Sequence, residues 1–245
     1  IVLYQVTVRS GRFEDLRAQR GKTQSMIAHL RPLVVLAKSY PGRFAALAAT
    51  TLPSAFGMAA AGALLSKYLQ EDRHFAPGDI STLYFCGGAV SMIGYLIAGP
   101  LSDRIGRRAL LAVATPATAI AYAGIYLAPN TALVGVGWIV AIFFSFAGNV
   151  TMSAVASELF PTSHRATASA ARALLGTGAG IAGLSVEGLL YDALGSHVQA
   201  ILYLLACAPI AVIPLLLFIP ETANRSLEAI APETMPLDVG QIPNP

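Results

Sequence analysis

Charge is sparse in this 245-residue sequence, with only 12% of residues Asp, Glu, Lys or Arg. Four of these charges stand together in Gly99-Pro100-Leu101-Ser102-Asp103-Arg104-Ile105-Gly106-Arg107-Arg108, an acid followed by three arginines. Between two helices, such a stretch can act as an ion-pair latch. Gly99 would permit close helix approach, and Asp103 would accept from the exposed N–H groups of a neighbouring helix start and pair with Arg107. A latch of this kind forms in one conformation and breaks in another. Other chemistry finds less footing. His29, His74, His164 and His197 fall in four separate segments without metal-ligand spacing, so no metal or other cofactor is expected. No nucleophile has a base and an orienting acid at plausible neighbouring positions, so no enzyme is expected either. Gly178-Ala179-Gly180-Ile181-Ala182-Gly183 satisfies G-x-G-x-x-G, yet it follows no strand and lies inside an apolar run.

The elements that must position the latch follow from composition. Hydrophobic residues make up 55% of the chain, and the mean hydropathy is +0.63. A soluble domain carries about 25% charged residues, and a disordered chain needs low hydrophobicity with high charge, so both classes are excluded. Cys86 and Cys207 are the only cysteines, too few for a disulfide scaffold. The net charge of +3 does not point to nucleic acid, because the basic residues sit between apolar runs and not on one clustered face. A helix needs about 20 apolar residues to cross a bilayer. Charge-free stretches of that length run over 44–66 and 80–102, and 109–157 is long enough for two crossings with a turn at Ala128-Pro129-Asn130-Thr131. The fifth crossing covers 167–191 and the sixth 198–219. The expected fold class is therefore all-α, an integral membrane bundle of six transmembrane helices whose first partner is the lipid bilayer.

Lys and Arg set the orientation, because positive loops resist translocation. Fourteen lie before the first span, in alternate loops with the nearby Arg172, and after the last span, among them Arg104, Arg107, Arg108, Arg165 and Arg225, while the other side holds only Lys67 and Arg73. Both termini are therefore expected in the cytoplasm, and the alanine-rich spans suit a bacterial inner membrane. Residues 1–43 read as a cytoplasmic linker with short amphipathic helices that pack against the span ends, 44–219 as the transmembrane domain, and 220–245 as a cytoplasmic tail. Ile1–Val8 reads as the stump of something longer. Glycines in the first, second and fifth spans suit close packing in lipid. Arg172 and Glu187 are the only charges within a span. Arg172 is expected to snorkel to the cytoplasmic surface, and Glu187, ~22 Å further on, lies near the outer surface, at the mouth of a cavity or at the interface.

The latch resembles the G-x-L-[AS]-D-R-x-G-R-[RK] loop of the major facilitator superfamily at every fixed position. Glu158-Leu159-Phe160-Pro161-Thr162-Ser163-His164-Arg165 is similar to the E-x-F-P-x-x-x-R pattern of the sugar porters. Pro220-Glu221-Thr222-Ala223-Asn224-Arg225-Ser226-Leu227-Glu228 looks like the segment after their twelfth span, and Ser10-Gly11-Arg12-Phe13 weakly like the one after their sixth. The resemblance implies the C-terminal half of a twelve-span, sugar-porter-like or metabolite-symporter-like transporter, with the N-terminal six-span half as missing partner. It implies alternating access for a small organic solute, most commonly with proton symport. No acid sits at midspan here, so a coupling carboxylate would lie in the other half. In the family, cytoplasmic acids and arginines form clusters that close the inner side, which carries over to Glu158 with Arg107 or Arg108, and to Glu221 with Arg165. The transport site lies near the midplane. About ten residues from the cytoplasmic ends, that depth falls at Ser54, Ser91, Asn149 and Thr177, on spans that line the cavity in family members. The stretches carrying the sugar porters' hexose motifs read differently here, so the resemblance does not extend to a sugar substrate. Two other classes remain open, a non-transporting six-span scaffold or regulatory protein and a self-dimerising half transporter.

Overall fold

A computed structural model of the chain describes residues 26–223 and 230–231. The segment before Met26 and most of the tail after Ala223, including the expected helix over 12–24 and Arg225, lie outside the described residues. The order is α1 (Met26–Ser39), α2 (Pro41–Ala63), α3 (Leu65–Glu71), α4 (Pro77–Ile105), α5 (Arg107–Leu127), α6 (Thr131–Glu158), a 3-10 turn at Thr162–His164, α7 (Arg165–Leu194), α8 (His197–Cys207), a second 3-10 turn at Ala208–Ala211, and α9 (Val212–Phe218). No strand occurs among the described residues. Six helical stretches are long and apolar enough to cross a membrane: α2 with α3, α4, α5, α6, α7 with its preceding turn, and α8 with α9. The fold is the all-α six-span membrane bundle that the charge-free stretches call for.

The boundaries have local causes. The long apolar run divides where Leu127 ends α5 and the Asn130 side chain accepts from Leu133 N at 3.0 Å, satisfying one of the orphan donors at the start of α6. Ser196 caps α8 in the same way. The sixth span, expected over 198–219, runs His197–Phe218 with a 3-10 turn at Ala208–Ala211 inside it. Pro209 lies in its 3-10 turn and Pro214 in α9, and each removes a backbone donor.

Glycines let the helices touch. A Cβ at Gly57 would sit 2.6 Å from the Leu204 carbonyl, and one at Gly183 would overlap the Phe56 carbonyl, so α2 meets α8 and α7 backbone to backbone. On α4, Gly94 likewise faces the Phe143 carbonyl of α6, and Gly87 makes room for the Trp138 indole. Gly99, expected to mediate such an approach, does not: a Cβ there meets nothing within 4 Å. The close contacts of α4 are one and three turns nearer its start.

Two apolar clusters fill the bundle. One, toward the end away from the arginines, gathers Leu65, Leu69, Ile125, Trp138 and Ile201, and the other, toward the arginine-rich end, gathers Leu36, Leu47, Leu111, Val155, Phe160 and Ile219. Leu36 is fully buried, so α1 packs onto the span ends. The helix middles between the clusters carry Thr50, Ser54, Thr118 and Asn149.

Candidate functional site

The first site is the charged cluster at the arginine-rich end. Gly106 joins α4 to α5 at φ 97°, a conformation that glycine alone adopts readily. The turn points the free N–H groups of α5 at Glu221, just beyond α9. One oxygen of Glu221 accepts from Arg107 N at 2.9 Å and from Thr222 N and Ala223 N at 3.0 Å, and the other accepts from Arg108 N at 3.2 Å. A Cβ at Gly106 would stand 2.7 Å from that second oxygen, so the residue is fixed twice over, by its φ and by the carboxylate against it. Burial pushes the Glu221 carboxyl up, but the four backbone donors outweigh it and hold the group below its ordinary 4.5.

The side chains of the latch complete the cluster. Arg107 pairs with Asp103 one turn back, at 3.0 Å, and with Glu158 at the end of α6. Arg107 and Glu158 are each about 85% buried in their side chains, whereas Asp103 is exposed. Arg108 donates to the Leu216 carbonyl on α9. Arg104 is exposed. Two expectations change here. The helix start that was to receive Asp103 is capped by Glu221. Glu221 in turn binds backbone donors, and among the described residues no ion pair joins it to Arg165. Arg165 Nε is instead buried without a hydrogen-bond partner among the described residues, as are Arg108 Nε and Glu158 Oε2. Arg43, read from the sequence only as a count of charge, ties the cluster down by donating to the carbonyls of Leu159 at 2.7 Å and Ile230 at 3.0 Å. Its partners lie 116 and 187 residues away, and no local pattern points to them.

The second site is a cavity of about 450 Å³ between the two apolar clusters, bounded by α2, α5, α6, α7 and the bend of the sixth span. Ser54, Asn149 and Thr177 line it together, and Asn149 and Thr177 are exposed at its opening. Ser91 does not join them. It lies on α4, which packs along α6, and its hydroxyl donates to the Gly88 carbonyl. Glu187 lies elsewhere too, near the far end of α7. It is 5% exposed and accepts from His197 Nδ1 at 2.7 Å, while His197 stacks on Tyr191 and lies 3.2 Å from Lys67 Nζ.

Sequence reading missed much of the cavity wall. Thr50, Thr51, Thr115, Thr118 and Ser145 add hydroxyls to it. Their signal, small hydroxyl residues midway along apolar helices, is faint because such residues also bond their own helix: Thr50, Ser54 and Thr118 donate to carbonyls within four residues. Thr51 differs: it is 6% exposed, and its Oγ1 has no hydrogen-bond partner among the described residues. Arg172, expected to snorkel, is partly buried in the cavity wall and donates to Ser153 of α6 at 2.9 Å. Among the described residues no His, Cys, Asp or Glu group is arranged to hold a metal.

A bundle with six membrane-length helices, a charged cluster closing one end and a polar cavity at mid-depth is the architecture of a solute carrier. No curated protein matches the chain. The family model described as Major Facilitator Superfamily matches residues 47–238, from the first span to beyond the last, and that family is one of membrane transporters. By that match the chain is a multi-pass membrane protein and belongs to the Major Facilitator Superfamily.

Proposed function

We propose that this chain is the C-terminal six-span half of a secondary transporter that moves a small organic solute by alternating access, with Ser54, Asn149 and Thr177 in the solute site. The observation that carries the reading is the polar cavity at mid-depth. In hydrocarbon an unpartnered hydroxyl or amide is costly, so a pocket of such groups opening beside Asn149 and Thr177 needs an occupant or a facing wall. The N-terminal half supplies that wall. The three ordered motifs at Gly99–Arg108, Glu158–Arg165 and Pro220–Glu228 support the assignment to spans seven to twelve.

In this reading the arginine-rich end faces the cytoplasm of a bacterial inner membrane, as the positive-inside bias requires. Asp103, Arg107, Glu158 and Glu221 then form the inner latch, holding the ends of α4, α5, α6 and α9 together while the cavity faces out. No carboxylate lines the cavity among the described residues, so a proton that drives transport is carried by the other half.

The deciding experiment is uptake into proteoliposomes. Alone, at concentrations where crosslinking finds only monomer, the chain gives no uptake, and joined to an N-terminal six-span half of the family it does. Transport by the lone monomer overturns the half-transporter reading, and no uptake from any pairing favours a scaffold. Orientation is tested by Arg104→Cys in a background lacking Cys86 and Cys207, which should react with an impermeant maleimide only after the cells are opened.

A further inference from the structure

Arg172 is the one charged residue in the cavity wall, and its surroundings are one-sided. It lies about two turns into α7, some 10 Å from Arg165, at a depth where a guanidinium is expensive and marks a site unless it is paired. Among the described residues no carboxylate lies within ion-pair distance of it, and its side chain donates to the neutral Ser153 hydroxyl. One fork of five donors uses at most a part of its capacity on that hydroxyl. The charge therefore faces a polar cavity without a counter-ion among the described residues.

The hydroxyls around it make a second demand. Thr50, Ser54 and Thr118 give their protons to carbonyls of their own helices, so what they turn toward the cavity is oxygen lone pairs. Lone pairs call for donors on the occupant. Thr51 offers an uncommitted hydroxyl from a buried position, an independent sign that a polar group belongs there. An ammonium as the donor would need an acid, and the lining residues contain none.

Resting on the assignment of this cavity as the solute site, we infer that the solute is a small hydroxylated carboxylate, whose anionic head pairs with Arg172 and whose hydroxyls donate to Thr50, Ser54 and Thr118. A planar carboxylate matches the guanidinium fork, and a cavity of about 450 Å³ takes a chain of a few carbons with its hydroxyls.

The test is equilibrium dialysis of the purified chain in phosphatidylcholine nanodiscs with radiolabelled gluconate, competed by sorbitol, butyrate, glucosamine and inorganic phosphate at constant ionic strength. Gluconate binds saturably, and sorbitol, which keeps the hydroxyls but lacks the carboxylate, binds at least about tenfold more weakly. Butyrate, which keeps only the carboxylate, falls between them, and glucosamine does not compete. Arg172→Met weakens gluconate about tenfold to a hundredfold, Arg172→Lys restores part of the loss, and Thr51→Val weakens it severalfold. Unchanged Trp138 fluorescence and elution volume establish that each variant is folded. Sorbitol or glucosamine binding as tightly as gluconate, or gluconate binding indifferent to Arg172→Met, overturns the anion while leaving the cavity as a solute site. Phosphate outcompeting gluconate overturns the carboxylate in favour of a phosphorylated solute. If no probe binds the folded chain, the inferred carboxylate site falls, while the half-transporter reading still stands or falls on uptake by the joined halves.

Discussion

At the arginine-rich end, Arg107, Asp103, Glu158 and Glu221 draw α4, α5, α6 and the segment after α9 into one cluster, with the Arg107–Glu158 pair largely buried and the start of α5 capped by a carboxylate. At the opposite end, Lys67, Glu187 and His197 join α3, α7 and α8, but Lys67 is half exposed and His197 is shared with a stacked Tyr191. Both groups fasten several helices, yet only the first is built on backbone donors as well as side chains. A carboxylate on a helix start is bound to the fold itself, whereas an exposed Lys–His contact joins only side-chain tips. The first group is therefore a firm clamp and the second a loose tie.

Substitutions can break that contrast. The largest loss is expected for Arg107→Ala, which strands the buried Glu158 carboxylate and should cost about 3 kcal/mol of stability in detergent, read by thermal or denaturant unfolding. Adding Glu158→Ala should return part of it, since the stranded charge is then gone. Next comes Gly106→Ala, at about 1–3 kcal/mol, because the substituted backbone must leave φ 97° or press its methyl group on Glu221. Glu221→Gln should cost about 1 kcal/mol by removing the charge that faces the α5 start. Its pH dependence carries a sign: the folded carboxyl sits below 4.5, so its contribution is full above that value, and is lost as the pH falls through the depressed one. The pH slope of stability in that acid range should shrink in Glu221→Gln. Lys67→Met should change stability by less than about 0.5 kcal/mol. A loss there as large as that for Arg107→Ala would erase the difference between the two ends.

The contrast also explains what could be read in advance. Charge-free stretches located all six spans, because hydrocarbon admits almost no alternative to an apolar helix of that length. The latch was legible because Asp103, Arg104, Arg107 and Arg108 are close in the chain, and Glu158 and Glu221 fall in motifs of their own. Legibility ended where a residue's role depends on distant partners. Glu221 was paired in expectation with Arg165, since side-chain charge is visible in a sequence and the free N–H groups of α5 are not. Ser91 has the depth of Ser54, Asn149 and Thr177, but depth says nothing of which way α4 turns. The place of Arg172 in the cavity wall was missed for the same reason: distance from a helix end says nothing of which neighbours the side chain meets, and the contact with Ser153 crosses to another helix. Arg43 and His197 had no motif at all.

The glycine seams of α2 carry one more implication. With the Phe56 carbonyl lying where a Gly183 side chain would be, and the Leu204 carbonyl and Ala208 crowding Gly57, α2, α7 and the bent sixth span have no slack to slide past one another. They must travel as one slab. Any rocking of this bundle has its pivot elsewhere, and α4, seated on α6 through Gly87 and Gly94 with Phe85, Met92 and Leu96 turned away, moves with α6.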